Sequence, residues 1–131
     1  MPAGVAPVTD DDNRFFWQGV QDGRLLLQRC SGCGELRHPP GPMCPSCLSL
    51  EWEAEAASGR GTIYSWVVSH HPTQPDAEPR IVVLVDLEEG VRLVANLQGV
   101  AWTDVVNDLP VEVFFAAVDG VVLTQFRRRE A

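Results

Sequence analysis

From residue 62 onward, apolar residues fall into five short runs separated by turn signals: 62–69, 81–87, 91–97, 111–118 and 121–126. The runs are rich in β-branched and aromatic side chains, the composition of strands. The run 81–87 (IVVLVDL) is unbroken, as expected of a strand covered on both faces. Its one acid, Asp86, reads as a solvent-side end rather than a general base. Glu88-Glu89-Gly90 is a tight turn into 91–97, where Val91, Leu93, Ala95 and Leu97 share one face. Asp119-Gly120 between two apolar runs signals a hairpin, because both residues tolerate positive φ. Residues 102–107 have room for one helical turn. Five strands, with a longer interruption between the third and fourth, match the count of a Greek-key OB barrel. Residues 70–80 (HHPTQPDAEPR) hold three prolines and no periodicity, and are expected to form a long exposed loop.

The first half is different. Residues 1–12 are rich in Pro, Ala, Gly and Asp, the composition of a frayed start. Asp11 or Asp12 is placed to cap a short helix over 13–20 that ends before Asp22-Gly23. That helix carries Phe15, Phe16 and Trp17 in succession, too many large rings for one core-facing stripe. They either pack on this chain's own ribbon or dock a partner, since aromatics are enriched at interfaces. Residues 24–29 (RLLLQR) read as a strand, and 51–55 (EWEAE) as another with Trp52 on its inner face. The turn signal at 57–61 marks a boundary. The expected organisation is 1–23 tail and helix, 24–57 ribbon, 58–131 barrel.

Between the two ribbon strands lie Cys30-Ser31-Gly32-Cys33 and Cys44-Pro45-Ser46-Cys47, the only cysteines in the chain. Two C-x-x-C turns converge four sulfurs on one tetrahedral centre, and soft thiolates select zinc or iron. Gly34 lets the backbone fold around the metal. The ten intervening residues are fewer than in most zinc ribbons but ample for a hairpin over 36–43. One structural zinc is the expected cofactor; a disulfide or redox pair and a rubredoxin-like iron are the alternatives. Four thiolates leave no open position for water or substrate.

The chain has 131 residues and a formal net charge of −8. That length fits one ordinary domain, burying roughly 65–70% of its surface on folding. An acidic chain repels nucleic acid and offers nothing to anionic membranes. Arg127, Arg128 and Arg129 are a local exception, read as a solubilising tail or a contact for an acidic partner or phosphate. No run is long enough to span a bilayer, and the start lacks a secretion signal, so the expected location is cytoplasmic.

Catalytic patterns are missing. His38 lies beside the metal loop and is expected at the surface. His70 and His71 are adjacent, so in a strand they point to opposite faces. No histidine spacing suits a catalytic metal, no serine sits in G-x-S-x-G, and no Gly-rich loop forms a phosphate cradle.

Residues 16–19 (FWQG), Gly23-Arg24-Leu25, Gln28-Arg29-Cys30-x-x-Cys33-Gly34, Arg37-x-Pro39-Pro40, Cys44-Pro45-x-Cys47 and 58–65 (SGRGTIYS) together resemble the zinc-ribbon plus OB-fold proteins that accompany thiolases. The resemblance runs from Asn13 to Phe126. It implies an N-terminal helix, a rubredoxin-like ribbon and a five-stranded OB barrel. It also implies a non-catalytic accessory subunit that binds a thiolase-superfamily enzyme, forms a hetero-oligomer and meets acyl-CoA through that partner. One branch of the family links an acetoacetyl-CoA thiolase to a hydroxymethylglutaryl-CoA synthase. Another is paired with or fused to a MaoC-like hydratase in steroid side-chain degradation, where an aldolase releases propionyl-CoA. Ser69-His70-His71-Pro72 and Leu97-Gln98-Gly99 look closer to the steroid branch. Phe15, Phe16, Trp17, His70 and His71 are the candidate partner contacts. The competing readings are a stand-alone acyl-CoA-binding module, with Arg80 or Arg127–Arg129 on CoA phosphates, and an OB-type nucleic-acid binder stacking bases on Tyr64, Trp66 and Phe114.

Overall fold

The computed structural model describes residues 10–74, 76–118 and 120–130. Residues 1–9 of the expected frayed start, 1–12, and the Asp119 half of the last turn lie outside them, while residues 10–12 are held in a hydrogen-bonded turn. Helix α1 spans Arg14–Gln21. Its entry is set by Asp10, not by Asp11 or Asp12. The Asp10 carboxylate accepts the backbone N–H groups of Asp12 and Asn13, both at 2.9 Å, while its own N–H donates to the Asn13 side chain at 2.8 Å. The helix ends in a Schellman turn: Arg24 N–H reaches Gly19 O at 2.8 Å and Gly23 N–H reaches Val20 O at 3.1 Å, with Gly23 at φ +73°. Phe16, Gly19 and Val20 are buried, the i, i+3, i+4 stripe of an amphipathic helix.

Strands β1 (Leu26–Cys30), β2 (Leu36–Arg37) and β3 (Trp52–Ala56) form a small antiparallel sheet in the order β2-β1-β3. Cys30 pairs with Trp52 and Leu26 with Ala56. The expected hairpin over 36–43 reduces to the two residues of β2, because a different contact, described below, holds the rest of that loop.

The barrel consists of β4 (Arg60–Ser69), β5 (Arg80–Leu87), β6 (Arg92–Gln98), β7 (Pro110–Val118) and β8 (Val121–Arg128). It closes in the order β4-β5-β6-β8-β7. Neighbours are antiparallel except β6 and β8, which pair in parallel through Asn96↔Gln125, Leu97↔Phe126 and Gln98↔Arg127. A single turn of 3-10 helix, Trp102–Asp104, lies between β6 and β7. Ile63, Val83, Val85, Val111 and Phe126 fill the interior. Phe16, Val20, Leu25 and Leu27 join the same buried cluster, so helix, ribbon and barrel share one core.

Three expectations change here. Strand β5 is not equally covered on both faces: Ile81, Val83, Val85 and Leu87 are buried, while Val82, Leu84 and Asp86 are half-buried. The half-buried side faces the gap left between barrel and helix. Arg127 and Arg128 are not a tail but the end of β8, with Arg127 on Glu112 at 3.3 Å. His38 is half-buried, not at the surface, because its ring lies 5.1 Å from that of Phe16. Asp86 ends at the solvent side as expected, paired with Arg92 at 2.7 Å.

Candidate metal centre

The two cysteine turns are built alike. In the first, Gly34 N–H donates to Cys30 O at 2.8 Å and Cys30 N–H to Glu35 O at 2.9 Å; in the second, Leu48 N–H donates to Cys44 O and Cys44 N–H to Ser49 O, both at 2.9 Å. Each turn needs a left-handed residue after its second cysteine: Gly34 at φ +79° and Leu48 at φ +66°. Glycine adopts this conformation freely. A leucine there costs about 1–2 kcal/mol.

The turns bring the sulfurs together. Cys30 Sγ lies 3.4 Å from Cys47 Sγ, Cys33 Sγ lies 3.7 Å from Cys44 Sγ, and all four fall within 4.8 Å of one another. A zinc ion bound at about 2.3 Å places tetrahedral sulfurs about 3.8 Å apart, so the set fits one ion. Backbone amides favour the thiolates. The N–H of Cys33 is the main cause that lowers the Cys30 thiol to about 6, helped by the Cys47 thiol and by Gly32 N–H, 3.3 Å from the sulfur. The N–H groups of Cys47 and then Ser46 lower Cys44, whereas Cys33 and Cys47, despite their own amide contacts, are held above the ordinary value by burial and the neighbouring sulfurs. Zinc held here by four sulfurs cross-links the two turns and contributes roughly 10 kcal/mol or more of folding free energy.

Polar contacts around the turns orient them. Arg29 holds Glu55 through two bonds, at 2.6 and 3.1 Å, and donates to Gly34 O at 2.7 Å. Gln28, only 1% exposed, donates to Gly41 O at 3.0 Å and accepts Gly41 N–H at 2.9 Å. Sequence reasoning missed Gln28. The available signal was a polar residue two positions before Cys30, on the same face of the strand.

The expected partner contacts separate into two places. Phe15 packs on Trp52 with ring centroids 4.6 Å apart, and Phe16 is 4% exposed against His38 and the edge of Trp17. Phe15 and Trp17 are half-buried and keep some surface. Phe16, Trp17, His38, Val82, Leu84 and Val94 line a cavity of about 700 Å³ between helix and barrel. Burial holds the His38 pKa below its ordinary value. His70 and His71 border a second, more polar cavity of about 430 Å³ with Arg80 and Gln98. The His70 ring meets the edge of Trp102 at 5.7 Å, and His71 Nδ1 accepts Thr73 N–H at 3.2 Å. Asn96 borders both cavities. The rings offered for base stacking are engaged differently: Arg92 covers Tyr64 at 3.8 Å, Arg127 lies 5.3 Å from Phe114, and Trp66 packs on the core. No helix among the described residues is long and apolar enough to cross a membrane.

Residues 17–53 match the model of the ChsH2 rubredoxin-like zinc ribbon domain, and residues 54–116 that of the ChsH2 C-terminal OB-fold domain. A 3-oxo-4,17-pregnadiene-20-carboxyl-CoA hydratase alpha subunit of Mycobacterium tuberculosis is 39% identical over 86% of this chain. The chain spans 36% of the length of the hydratase alpha subunits it matches. The benzoylsuccinyl-CoA thiolase subunit BbsA of Thauera aromatica is 32% identical over 95% of this chain and 93% of its own. A chain of the solved Ltp2-ChsH2(DUF35) aldolase superimposes with a TM-score of 0.87 at 42% identity, over 94% of this chain and 98% of that one. With its four-cysteine ribbon, its closed five-stranded barrel and these matches, the chain belongs to the DUF35 family of ChsH2-type zinc-ribbon and OB-fold proteins.

Proposed function

We propose that this chain is a non-catalytic partner subunit of a thiolase-superfamily enzyme acting on acyl-CoA, and more narrowly of an aldolase that releases propionyl-CoA from a steroid side-chain thioester by retro-aldol cleavage. The observation that carries the reading is the near full-length superposition, at 42% identity, on a chain of the Ltp2-ChsH2(DUF35) aldolase. The pregnadiene-carboxyl-CoA hydratase relative supports the steroid substrate and a MaoC-like hydratase as a second partner. The thiolase subunit relative supports thioester chemistry in the partner. The metal centre suits this role, since four sulfurs leave zinc no site for substrate. In this reading 1–23 supplies a tail and the docking helix, 24–57 a metal-stapled ribbon and 58–131 the barrel. Phe15, Trp17, His70 and His71 remain candidate contacts, whereas Phe16 works from inside the core.

The test is co-expression with the Ltp2 protein of that aldolase, followed by size-exclusion chromatography and an assay of propionyl-CoA release. A stable hetero-oligomer whose cleavage requires both chains supports the proposal. A lone monomer beside an unaffected enzyme, or thioester turnover by this chain alone, overturns it.

A further inference from the structure

The second cysteine turn carries an apolar tip that nothing in this chain covers. Met43, Leu48 and Leu50 are 47, 63 and 68% exposed. The Cys44 N–H to Ser49 O bond brings the chain on either side of it, Met43 and Leu50, alongside each other, with Leu48 in the loop between. Tyr64 and Trp102, also exposed, lie against Arg92 and His70 of their own chain. The tip is further set apart by its backbone. Leu48 occupies the left-handed position that Gly34 fills in the matching turn, yet it stays 63% exposed.

The charge around the tip has one sign. Glu35 and Glu51 are exposed near it: Glu51 follows Leu50 directly, and a Glu35 carboxylate oxygen lies 4.0 Å from Cys44 Sγ. No arginine or lysine occurs between Arg37 and Arg60. Arg29 is committed to Glu55 and Gly34, and Arg37 donates to Gly41 O at 3.0 Å. A second copy of this chain would oppose like charges across the contact.

We infer that Met43, Leu48 and Leu50 seat the ribbon in an apolar socket with a basic rim on the partner enzyme, with Leu48 as the central anchor. The inference rests on the partner-subunit reading above and names the surface that serves it. Leu48 spends backbone conformation on presenting its side chain outward, and residues that carry binding energy cluster near the centre of an interface, inside a ring of contacts that excludes water.

The experiment is calorimetric titration of Ltp2 with the zinc-loaded full chain and its variants, alongside urea denaturation. Leu48→Gly is expected to bind at least about tenfold more weakly while its denaturation midpoint stays level or rises, since glycine relieves the left-handed strain. Leu50→Ser, at a position of ordinary φ, is expected to weaken binding in the same direction. Glu51→Lys is expected to weaken binding and flatten its salt dependence. Wild-type binding unchanged in Leu48→Gly and Leu50→Ser overturns the inference and leaves the partner reading standing. A wild-type chain that does not bind Ltp2 overturns both. Sedimentation that finds a wild-type dimer, made monomeric by Leu48→Gly, overturns the inference in favour of self-association.

Discussion

The side-chain amide of Gln28 and the backbone of Gly41 exchange two hydrogen bonds, at 3.0 and 2.9 Å, across a buried gap. The pair acts like one rung of a sheet in a loop too irregular to form strands. Gln28→Ala orphans the Gly41 N–H and leaves Gly41 O with Arg37 alone. A loss of about 1–3 kcal/mol is expected, measured by urea denaturation. Because the loop joins the two cysteine turns, faster zinc transfer to a colorimetric chelator is expected as well.

Removing one sulfur should be far more damaging. In Cys44→Ser a hydroxyl that stays protonated replaces a thiolate in a fully buried position. The expected results are zinc content well below one per chain and loss of the cooperative melt of the ribbon, followed by metal analysis and thermal unfolding. A metal-replete variant with wild-type cooperativity would contradict this.

Gly61 tests the closeness of β4 and β5. A Cβ placed there runs into the carbonyl oxygen of Asp86 and comes within 2.7 Å of Val85 Cγ1. Backbone on the other side cannot turn away as a side chain can. Gly61→Ala is therefore expected to destabilise the barrel by about 1–3 kcal/mol or more, read from denaturant midpoints.

His38 gives the protein a pH dependence of known sign. Burial lowers its pKa in the folded state, so the unfolded chain takes up the proton first. Stability is therefore full above the ordinary histidine value of about 6.5 and declines as pH falls below it toward the folded value. Denaturation of His38→Phe at pH 7.5 and 5.5 should show a smaller drop than wild type. Any acid-driven loss of zinc is common to both proteins and cancels in the comparison.

What the sequence disclosed was local. The four cysteines declare their chemistry by spacing, and the barrel strands declare themselves as short β-branched apolar runs between turn signals. The helix end at Gly23 is likewise written in neighbouring residues. What it concealed was set by distant partners. The burial of His38 depends on Phe16, twenty-two positions away, and that of Gln28 on a loop thirteen positions on. Arg127 and Arg128 look like part of a tail until β6 and β7 are in place to hold them as strand. The aromatic triplet could be read as core or as interface because it is divided: Phe16 faces inward, while Phe15 lies on Trp52 and Trp17 at the rim of a cavity.

The parallel seam between β6 and β8 also sets an order of events during synthesis. The three ribbon strands are all present once residue 56 has left the ribosome, whereas the barrel has no last stave until β8 follows, about 70 residues later. At about 5–20 residues per second that interval lasts several seconds. Throughout it Val20, Leu25 and Leu27 have no closed barrel to pack against, whereas the four sulfurs of the ribbon are already complete.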